Sequence, residues 1–336
     1  MKLSEFSYEL PKELIAQKPL RERDSSRLMV VDRSTGKTRE KVFRDIADYI
    51  NEGDCLVLND TRVIPARLYG RRRTGGKVEL FVLETGSDTP RVLVRPARRV
   101  KEGERIELDN GVPVTVGRPA GPGRYVNFGA PLEEILSAGH VPLPPYIDRH
   151  DEPLDREAYQ TVYARKDGAT ASPTAGLHFT RGLLEELEKK GVTMAYVTLH
   201  TSYGTFAPVK EENVEDHVMH AEYYEISPEA AGSINKTRSS GGRVVAVGTT
   251  STRVLETASD EKGMMIPSSG WTDLFIYPGY RFKAIDRLIT NYHLPGSTLL
   301  MLVCAFAGKD VIFGAYGKAV ESGFRFFSYG DAMLIK

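Results

Sequence analysis

The chain has 336 residues, of which 41% are hydrophobic, and its 45 basic residues equal its 45 acidic residues. This length allows two domains, and the composition is ordinary for a soluble globular protein. The zero net charge gives no information about partners, so only the distribution of charge along the chain can. The sequence has two cysteines and no C-x-x-C pair, which excludes zinc ribbons and cysteine-bound iron–sulfur clusters.

Two features of the sequence bear on cellular location. The longest apolar run, residues 299–307, is far shorter than the roughly 20 residues that a membrane-spanning helix needs. The first residues, M-K-L-S-E-F-S-Y-E-L-P, contain no apolar leader segment. Cys55 and Cys304 both lie in apolar runs and fit a reducing compartment. We therefore expect a cytoplasmic, monomeric protein with no membrane partner.

The first 60 residues alternate between strand and helix patterns. Residues 26–32 predict a short strand, and residues 43–50 carry apolar side chains at helical spacing. Residues 55–58 predict a buried strand. A polar cluster follows this strand, and it is either an ordinary turn or part of a binding site: Asn59, Asp60, Thr61 and Arg62.

The sequence pattern changes between residues 63 and 129, where short β-rich runs alternate with turn residues and no helical period appears. Asn110-Gly111 between two runs is a strong hairpin signal, and Pro113 predicts an edge strand. Several short strands at this spacing indicate a small antiparallel barrel or sandwich. The predicted strands are residues 78–83, 91–94, 105–108, 112–116 and 125–128.

The same region concentrates basic charge. Residues 62–101 contain eleven basic and three acidic residues, an excess of eight positive charges in a chain with no net charge. Such a local excess is expected of a surface that binds a polyanion, and a solvated basic face is the simpler alternative. The pattern favours a nucleic acid as the partner.

A loop–helix–strand unit spans residues 172–200. Its polar loop carries Thr174 and His178, and Thr180 is placed to cap the following helix. An apolar stripe of leucines at helical spacing follows, then Gly191 where a left-handed residue ends a helix. Residues 193–199 predict a buried strand that ends at His200. Because ligands of open α/β sheets sit at the carboxyl ends of strands, His200 is a candidate site residue.

A second strand–turn–helix unit begins at residue 241. The strand of residues 241–248 is followed by three hydroxyl side chains, Thr249, Thr250 and Ser251, and then by a helix that carries Arg253. Free N–H groups and hydroxyl donors together predict a site for an anion or carboxylate. Simple capping of the helix by Ser251 is the alternative.

The last elements complete an α/β pattern. Residues 272–277 and 288–292 predict strands, the latter ending at His293, and Ser297 caps an apolar helix. A further helix follows from about residue 310 to 322. We therefore predict an α/β core domain, formed by residues 1–61 and 150–336, with an inserted small antiparallel β-barrel domain at 62–149.

Three histidines, His178, His200 and His293, lie at element ends beside polar loops. A single such histidine is usually structural, but three in comparable places indicate that one is catalytic. His217 and His220 stand at i, i+3, yet no third ligand is spaced to complete a metal site. We predict no metal.

Four motifs carry a resemblance to a known family: P-T-A-G-L-H-F-T, N-D-T-R-V-I-P-A-R-L, G-T-T-S-T-R-V-L-E and L-I-T-N-Y-H-L-P-G-S-T-L-L-M-L-V. They resemble the S-adenosylmethionine:tRNA ribosyltransferase-isomerase family of queuosine biosynthesis, across essentially the whole chain. The resemblance implies a fold of an α/β domain with a β-barrel domain. It also implies transfer of the ribosyl part of S-adenosylmethionine to 7-aminomethyl-7-deazaguanine at the tRNA wobble position. S-adenosylmethionine would be a consumed co-substrate with no further cofactor, and the partner a tRNA anticodon stem-loop.

We assign roles on this basis as hypotheses. Either His178 or His200 would serve as base or acid, with the other orienting, since histidine suits proton transfer near neutral pH. Tyr203 or Phe206 could hold the sulfonium by a cation–π contact. The expected substrate-binding residues are Asp60, Thr61, Arg62, Thr174, Thr205, Thr249, Thr250, Ser251, Arg253, Asn291 and His293. The expected tRNA-binding residues are Arg67, Arg71, Arg72, Arg98 and Arg99.

Two other classes of function compete with this interpretation. An S-adenosylmethionine-dependent RNA methyltransferase would release S-adenosylhomocysteine, and it normally shows a glycine-rich loop that this sequence lacks. A non-catalytic RNA-binding protein would leave the three histidine-bearing loops outside the basic region without a purpose.

Overall fold

The computed structural model describes residues 1–83, 90–202 and 209–336. Within these ranges the chain forms a nine-stranded mixed sheet with helices and a closed six-stranded barrel whose neighbouring strands are antiparallel. The prediction of an α/β core with an inserted small antiparallel barrel is therefore confirmed.

In chain order, the strands of the described residues are β1 (Arg27–Val31), β2 (Thr38–Val42), β3 (Cys55–Asn59), β4 (Thr61–Val63), β5 (Arg67–Arg72), β6 (Lys77–Val82), β7 (Arg91–Arg95), β8 (Arg105–Leu108), β9 (Pro113–Ala120), β10 (Gly123–Phe128), β11 (Lys166–Ala169), β12 (Thr193–Leu199), β13 (Glu222–Ile226), β14 (Val244–Val247), β15 (Ser268–Thr272), β16 (Arg287–Asn291) and β17 (Ala332–Ile335). The α-helices are α1 (Leu132–Ser137), α2 (Asp155–Ala158), α3 (Arg181–Lys189), α4 (Pro228–Ser239), α5 (Gly248–Thr257), α6 (Thr298–Ala307) and α7 (Lys309–Glu321).

The large sheet has the order β15-β13-β12-β3-β14-β16-β17-β1-β2. Its four adjacent strands β12, β3, β14 and β16 are parallel, so their carboxyl ends share one edge. Strands β3 and β14 are buried at every position. Such strands are expected where a parallel sheet is covered on both faces.

Helices cover both faces of this sheet. Helices α4 to α7 contribute to one hydrophobic cluster, and α3 with the 3-10 helix Phe43–Asp48 contributes to the other. The predicted cap of α3 is confirmed, since the Thr180 hydroxyl accepts a hydrogen bond from Leu183 N at 3.2 Å. The leucine stripe of α3 is buried, so the amphipathic pattern correctly identified its inner face.

The barrel has the strand order β10-β7-β6-β5-β8-β9, and apolar side chains fill its interior. The Asn110-Gly111 hairpin is confirmed, with Gly111 at φ 82° between β8 and β9. The prediction that Pro113 marks an edge strand is wrong, because β9 pairs with β8 on one side and β10 on the other. Proline is tolerated there as the first residue of the strand.

The ends of several core elements test the remaining predictions. The expected strand at residues 272–277 is wrong, since β15 ends where that segment begins. The Ser227 and Ser297 caps of α4 and α6 are present, each hydroxyl accepting from the backbone N–H three residues later.

No single helix among the described residues is long and apolar enough to cross a membrane; α6 and α7 pass that test only as a pair bent by 115°.

Candidate functional site

A cavity lies at the edge where the parallel strands β14 and β16 end. The segment after β14, Gly248 to Thr250, faces the last residue of β16, Asn291, and the next two residues, Tyr292 and His293. Thr201, two residues beyond β12, joins them. The first residues of the 3-10 helix Thr174–His178 form another wall. Polar segments that follow three separate strands therefore meet at one edge of the sheet. The polar side chains that line the cavity are Tyr146, Ser172, Thr174, Thr201, Thr249, Thr250, Thr290, Asn291, Tyr292, His293 and Ser328.

Five buried polar atoms of this lining make no hydrogen bond to any described residue. They are Ser172 Oγ, Thr201 Oγ1, Thr250 Oγ1, Asn291 Oδ1 and the Tyr292 hydroxyl. A buried polar atom left without a partner costs about 1–3 kcal/mol, and native proteins keep few of them. Such a cluster in one cavity indicates a site that a polar ligand completes.

The amino end of α5 opens onto the same cavity. The helix begins at Gly248, whose φ of 88° favours glycine, and no side chain of the described residues caps it. Its first N–H groups therefore remain available to an anion, helped by the positive end of the helix dipole. Ser251 instead donates to Val247 O at 2.8 Å and is fully buried. The alternative of capping by Ser251 is thus wrong, and its hydroxyl does not face a ligand.

The Arg253 side chain is engaged in contacts within the fold. Its guanidinium forms a buried ion pair with Glu222 and donates to the carbonyls of Thr272 and Leu274 at 3.1 Å each. Glu222 in turn accepts from Ser202 N at 2.8 Å. These contacts tie β13, α5 and the end of β15 together, so Arg253 supports the framework and does not line the cavity.

His178 is buried behind the cavity, with both ring nitrogens bonded. Asn291 Nδ2 lies 3.2 Å from Nε2 and also donates to Phe327 O, while Ser26 Oγ lies 2.8 Å from Nδ1. Nε2 therefore accepts, and Nδ1 carries the proton. Burial lowers the pKa of His178 to about 3, which keeps the ring neutral. The ring fixes the Asn291 amide so that its Oδ1 is left for the cavity.

His293 lines the cavity itself. Its Nε2 lies 2.7 Å from Thr290 Oγ1, and that hydroxyl is also 3.3 Å from Asn291 O. Nδ1 makes no hydrogen bond to a described residue. Burial lowers the pKa of His293 to about 3, so this ring is neutral as well.

His200 lies beside the cavity, one residue before Thr201. Its Nδ1 is 2.8 Å from the Thr61 hydroxyl, and its Nε2 makes no hydrogen bond within the described chain. The ring packs against Gly168, where a Cβ would stand 2.8 Å from Nε2. Burial lowers the pKa of His200, and the nearby carboxylate of Asp60 opposes this shift. His200 is only partly buried, whereas His178 and His293 are buried.

The polar cluster after β3 supports His200 and does not line the cavity. Asp60 accepts from the Thr198 hydroxyl at 2.8 Å, and Arg165 lies 3.3 Å away. Arg62 forms a two-point ion pair with Asp167 on the surface. Of the cluster, only Thr61 touches a candidate catalytic ring.

An aromatic wall of the cavity was not predicted from the sequence. Tyr146 and Phe327 lie with ring centroids 4.7 Å apart, and the Tyr146 hydroxyl is 2.5 Å from Ser328 Oγ. Phe327 has a φ of 69°, the only positive φ of a non-glycine residue in the described chain. Such backbone strain, of order 1–3 kcal/mol, concentrates at functional sites. The expected contacts of Tyr203, Thr205 and Phe206 lie outside the described residues.

The arginines of the barrel fall into two groups. Arg72 pairs with Glu104 at 2.6 Å, and Arg67 lies 3.4 Å from Glu79 and donates to Leu143 O. These two are engaged within the protein. The other three are exposed and form no ion pair within the described residues: Arg71, Arg98 and Arg99.

Of the histidines considered as metal ligands, His217 lies 3.0 Å from Glu211. In the described ranges no three histidine, cysteine or carboxylate side chains are grouped so as to hold a metal ion.

These features define the chain as an α/β protein with an inserted β-barrel and a polar cavity at the carboxyl ends of its parallel strands. The sequence model of the family described as "Queuosine biosynthesis protein" matches residues 3–335. The chain belongs to that family.

Named relatives match over the full length. The S-adenosylmethionine:tRNA ribosyltransferase-isomerase of Acetivibrio thermocellus is 56% identical, and that of Caldanaerobacter subterraneus subsp. tengcongensis 54%, each covering 100% of both chains. The crystal structure of S-adenosylmethionine tRNA ribosyltransferase from Thermotoga maritima is 40% identical, with a TM-score of 0.57 over 99% of this chain and 100% of that one.

Proposed function

We propose that the chain is an S-adenosylmethionine:tRNA ribosyltransferase-isomerase. It transfers and isomerises the ribosyl group of S-adenosylmethionine onto 7-aminomethyl-7-deazaguanine at the tRNA wobble position, forming epoxyqueuosine-tRNA and releasing adenine and methionine. S-adenosylmethionine is consumed, no other cofactor is needed, and the protein works as a cytoplasmic monomer. The cavity with its five unpartnered buried polar atoms carries the proposal, and the full-length relatives support it.

The carboxylate of the methionine part is assigned to the amino end of α5. Uncapped N–H groups, the helix dipole and the hydroxyls of Thr249 and Thr250 together suit a negative group. A tRNA phosphate is the other anion considered for this place. The Thr250 hydroxyl is buried, so a small carboxylate reaches it more easily than an RNA backbone does.

The sulfonium is assigned to the aromatic wall of Tyr146 and Phe327. A cation over such rings gains about 0.5–2 kcal/mol. His293 faces the same cavity, and burial keeps it neutral because its pKa is lowered to about 3. A protonated ring there would repel the sulfonium, whereas a neutral ring does not and leaves Nδ1 for one hydrogen bond with a substrate hydroxyl.

Proton transfer is assigned to His200. The positive sulfonium acidifies the adjacent ribose 5′ carbon, and a base must take that proton before the ribosyl group can rearrange. The base works best when its pKa lies near the working pH. The pKa values of His293 and His178 are lowered to about 3, whereas His200 is only partly buried and its pKa shift is opposed by Asp60. His178 acts by positioning Asn291.

The inserted barrel, residues 62–149, is assigned to contact the tRNA backbone. Its exposed arginines Arg71, Arg98 and Arg99 are free of acidic partners within the described residues. The target base must leave the anticodon stack to bring its aminomethyl group to the cavity.

The decisive test is a product assay. The protein is incubated with S-adenosylmethionine and an anticodon stem-loop that carries 7-aminomethyl-7-deazaguanine, and free adenine and the RNA mass are measured. Adenine release with addition of the ribosyl mass is expected. Methyl addition without adenine would identify a methyltransferase instead, and salt-sensitive RNA binding without any product would identify a binding protein.

The same assay tests which histidine is the general base. His200→Gln should lower the single-turnover rate of bound substrate by about 10²- to 10⁴-fold, the usual contribution of a general base. His220→Gln is the matched control, since His220 is an exposed histidine away from the cavity. An unchanged rate in His200→Gln would remove His200 from this role.

A further inference from the structure

A row of aromatic rings crosses three neighbouring strands and begins at His200. The His200 and Tyr223 rings are stacked with centroids 5.6 Å apart and an interplanar angle of 21°. Tyr223 meets Trp271 edge to face at 6.0 Å. His200 N donates to Tyr223 O, and Tyr223 is the register partner of Trp271. The three side chains therefore stand side by side on one face of the sheet.

The row becomes more exposed toward its outer end. His200 and Tyr223 are partly buried, and Trp271 is 69% exposed on β15, the edge strand of the large sheet. A single exposed apolar side chain needs no explanation. This one ends a row of ring contacts that starts at His200, the assigned general base, and it is the only tryptophan of the chain.

The backbone beneath Trp271 is held firmly. The next residue, Thr272, is 3% exposed, its carbonyl accepts from Arg253, and its hydroxyl is 2.7 Å from that of Thr257. The exposed indole thus projects from a fixed edge of the sheet and not from a loop. A rigid ring loses little conformational freedom on binding, which favours its use as a contact surface.

We propose that the exposed indole of Trp271, supported by its ring contact with Tyr223 and through it by His200, forms a stacking platform for an unpaired base of the RNA substrate next to the modified base. This inference rests on the proposed function. A base drawn out of an anticodon loop leaves its neighbours unstacked, and proteins commonly receive such bases on aromatic faces. The row leads from the reacting site to the surface, so a neighbouring nucleotide can stack on Trp271 while the target base lies in the cavity.

A second copy of the chain, pairing along β15, is the other partner that an exposed edge strand could take. The strand offers it little area, because its five residues are Ser268, Ser269, Gly270, Trp271 and Thr272. Stable protein interfaces need about 1,000 Å² or more. The indole also contacts Tyr223 on the face of the sheet, whereas a paired strand would bind along the backbone edge of β15. This position favours a flat ligand on the sheet face.

Intrinsic fluorescence tests the platform directly, because every tryptophan photon comes from residue 271. Titration with the anticodon stem-loop should quench this emission, with the same dissociation constant that anisotropy of a labelled RNA gives. A fully paired RNA duplex of equal charge should bind without comparable quenching, since it offers no unstacked base.

Variants separate stacking from charge. Trp271→Ala should weaken stem-loop binding by about 5- to 150-fold, the range found for loss of one base–aromatic stack, and Trp271→Phe should recover most of it. Ile266→Ser, which alters another exposed apolar residue two positions before β15, should bind like the wild type. The dissociation constant for S-adenosylmethionine without RNA should stay the same in all three.

Three results would overturn the platform: no quenching by the stem-loop, wild-type RNA affinity in Trp271→Ala, or a wild-type dimer that Trp271→Ala dissociates in sedimentation. Thermal unfolding of each variant verifies that it is folded. The proposed function fails separately, and only if the wild-type protein releases no adenine in the product assay.

Discussion

At the scale of single residues, burial decides the protonation of the two histidines that flank Asn291. His178 and His293 are 5% and 8% exposed, and burial lowers the pKa of each to about 3. In the unfolded chain a histidine has a pKa near 6.5. Both rings are therefore neutral in the folded protein at pH values where the unfolded chain is already protonated.

The stability of the protein should fall as acid is added, in part through these two rings. Below pH about 6.5 the unfolded state binds a proton at each histidine that the folded state does not bind until about pH 3. The contribution of these two rings to stability is thus fully present above pH 6.5 and is lost as pH falls toward 3. His178→Asn should reduce the slope of unfolding free energy between pH 5 and 4 by about 1.4 kcal/mol per pH unit, the value for one proton.

The carboxylates titrate alike in the wild type and the variant, so their contribution cancels when the two slopes of unfolding free energy against pH are compared. Asn can still donate to Ser26, so the variant should fold, although it loses the stack of His178 on Phe43. Urea titrations at several pH values measure the effect. Equal slopes for variant and wild type would mean that His178 titrates normally in the folded protein.

The sequence predicted some residues that line the cavity and could not predict others. Thr249 and Thr250 were found because a strand, a run of hydroxyls and a helix make a recognisable local pattern. Phe327 and Tyr146 are about 180 residues apart and meet only through tertiary structure, and the left-handed backbone of Phe327 has no sequence signal when glycine is absent. The neutrality of His178 depends on burial, which its polar loop did not reveal.

At the scale of elements, the buried pair of Arg253 and Glu222 joins α5 to the antiparallel edge of the sheet. Removing one partner leaves a buried charge without compensation, which typically costs 3–5 kcal/mol. We expect Arg253→Met and Glu222→Leu each to lose stability in that range. The double variant should lose less than the sum, because no unpaired charge remains.

Urea unfolding of the two single variants and the double variant measures this coupling. Arg62→Met is a suitable control, since its ion pair with Asp167 is half exposed and such pairs contribute at most about 1 kcal/mol. Strictly additive losses would show that the pair is not coupled, and that Arg253 stabilises the fold only through the carbonyls of Thr272 and Leu274.

Element prediction failed where local signals conflicted with pairing. Strand β5, R-L-Y-G-R-R, was missed because arginines and a glycine obscure its alternation. Its Gly70 is needed because a Cβ there would lie 2.5 Å from Glu107 O in the adjacent strand. Pro113 suggested an edge, but closure of the barrel gave β9 two neighbours. Such closure depends on residues distant in sequence.

At the scale of the whole molecule, the periodicities were sufficient for the architecture. A helix-and-strand pattern at both ends and a β-only middle predict one core interrupted by one insertion, and this organisation is confirmed. The distribution of ion pairs was not predictable, because it depends on cross-strand register. That register sets Arg72 beside Glu104 and leaves Arg71 exposed.

This division of the arginines leads to a prediction for the complex with tRNA. Each phosphate contact made by a cation releases counterions, so the logarithm of affinity falls with the logarithm of salt by about 0.7–0.9 per contact. Removing both Arg98 and Arg99 should therefore reduce the salt slope of tRNA binding by about 1.4–1.8. Arg72→Ala should leave the slope unchanged and lower stability instead, since Arg72 is engaged with Glu104. Two results would place the RNA on a different face of the barrel. One is a smaller salt slope in Arg72→Ala, and the other is an unchanged salt slope when Arg98 and Arg99 are removed.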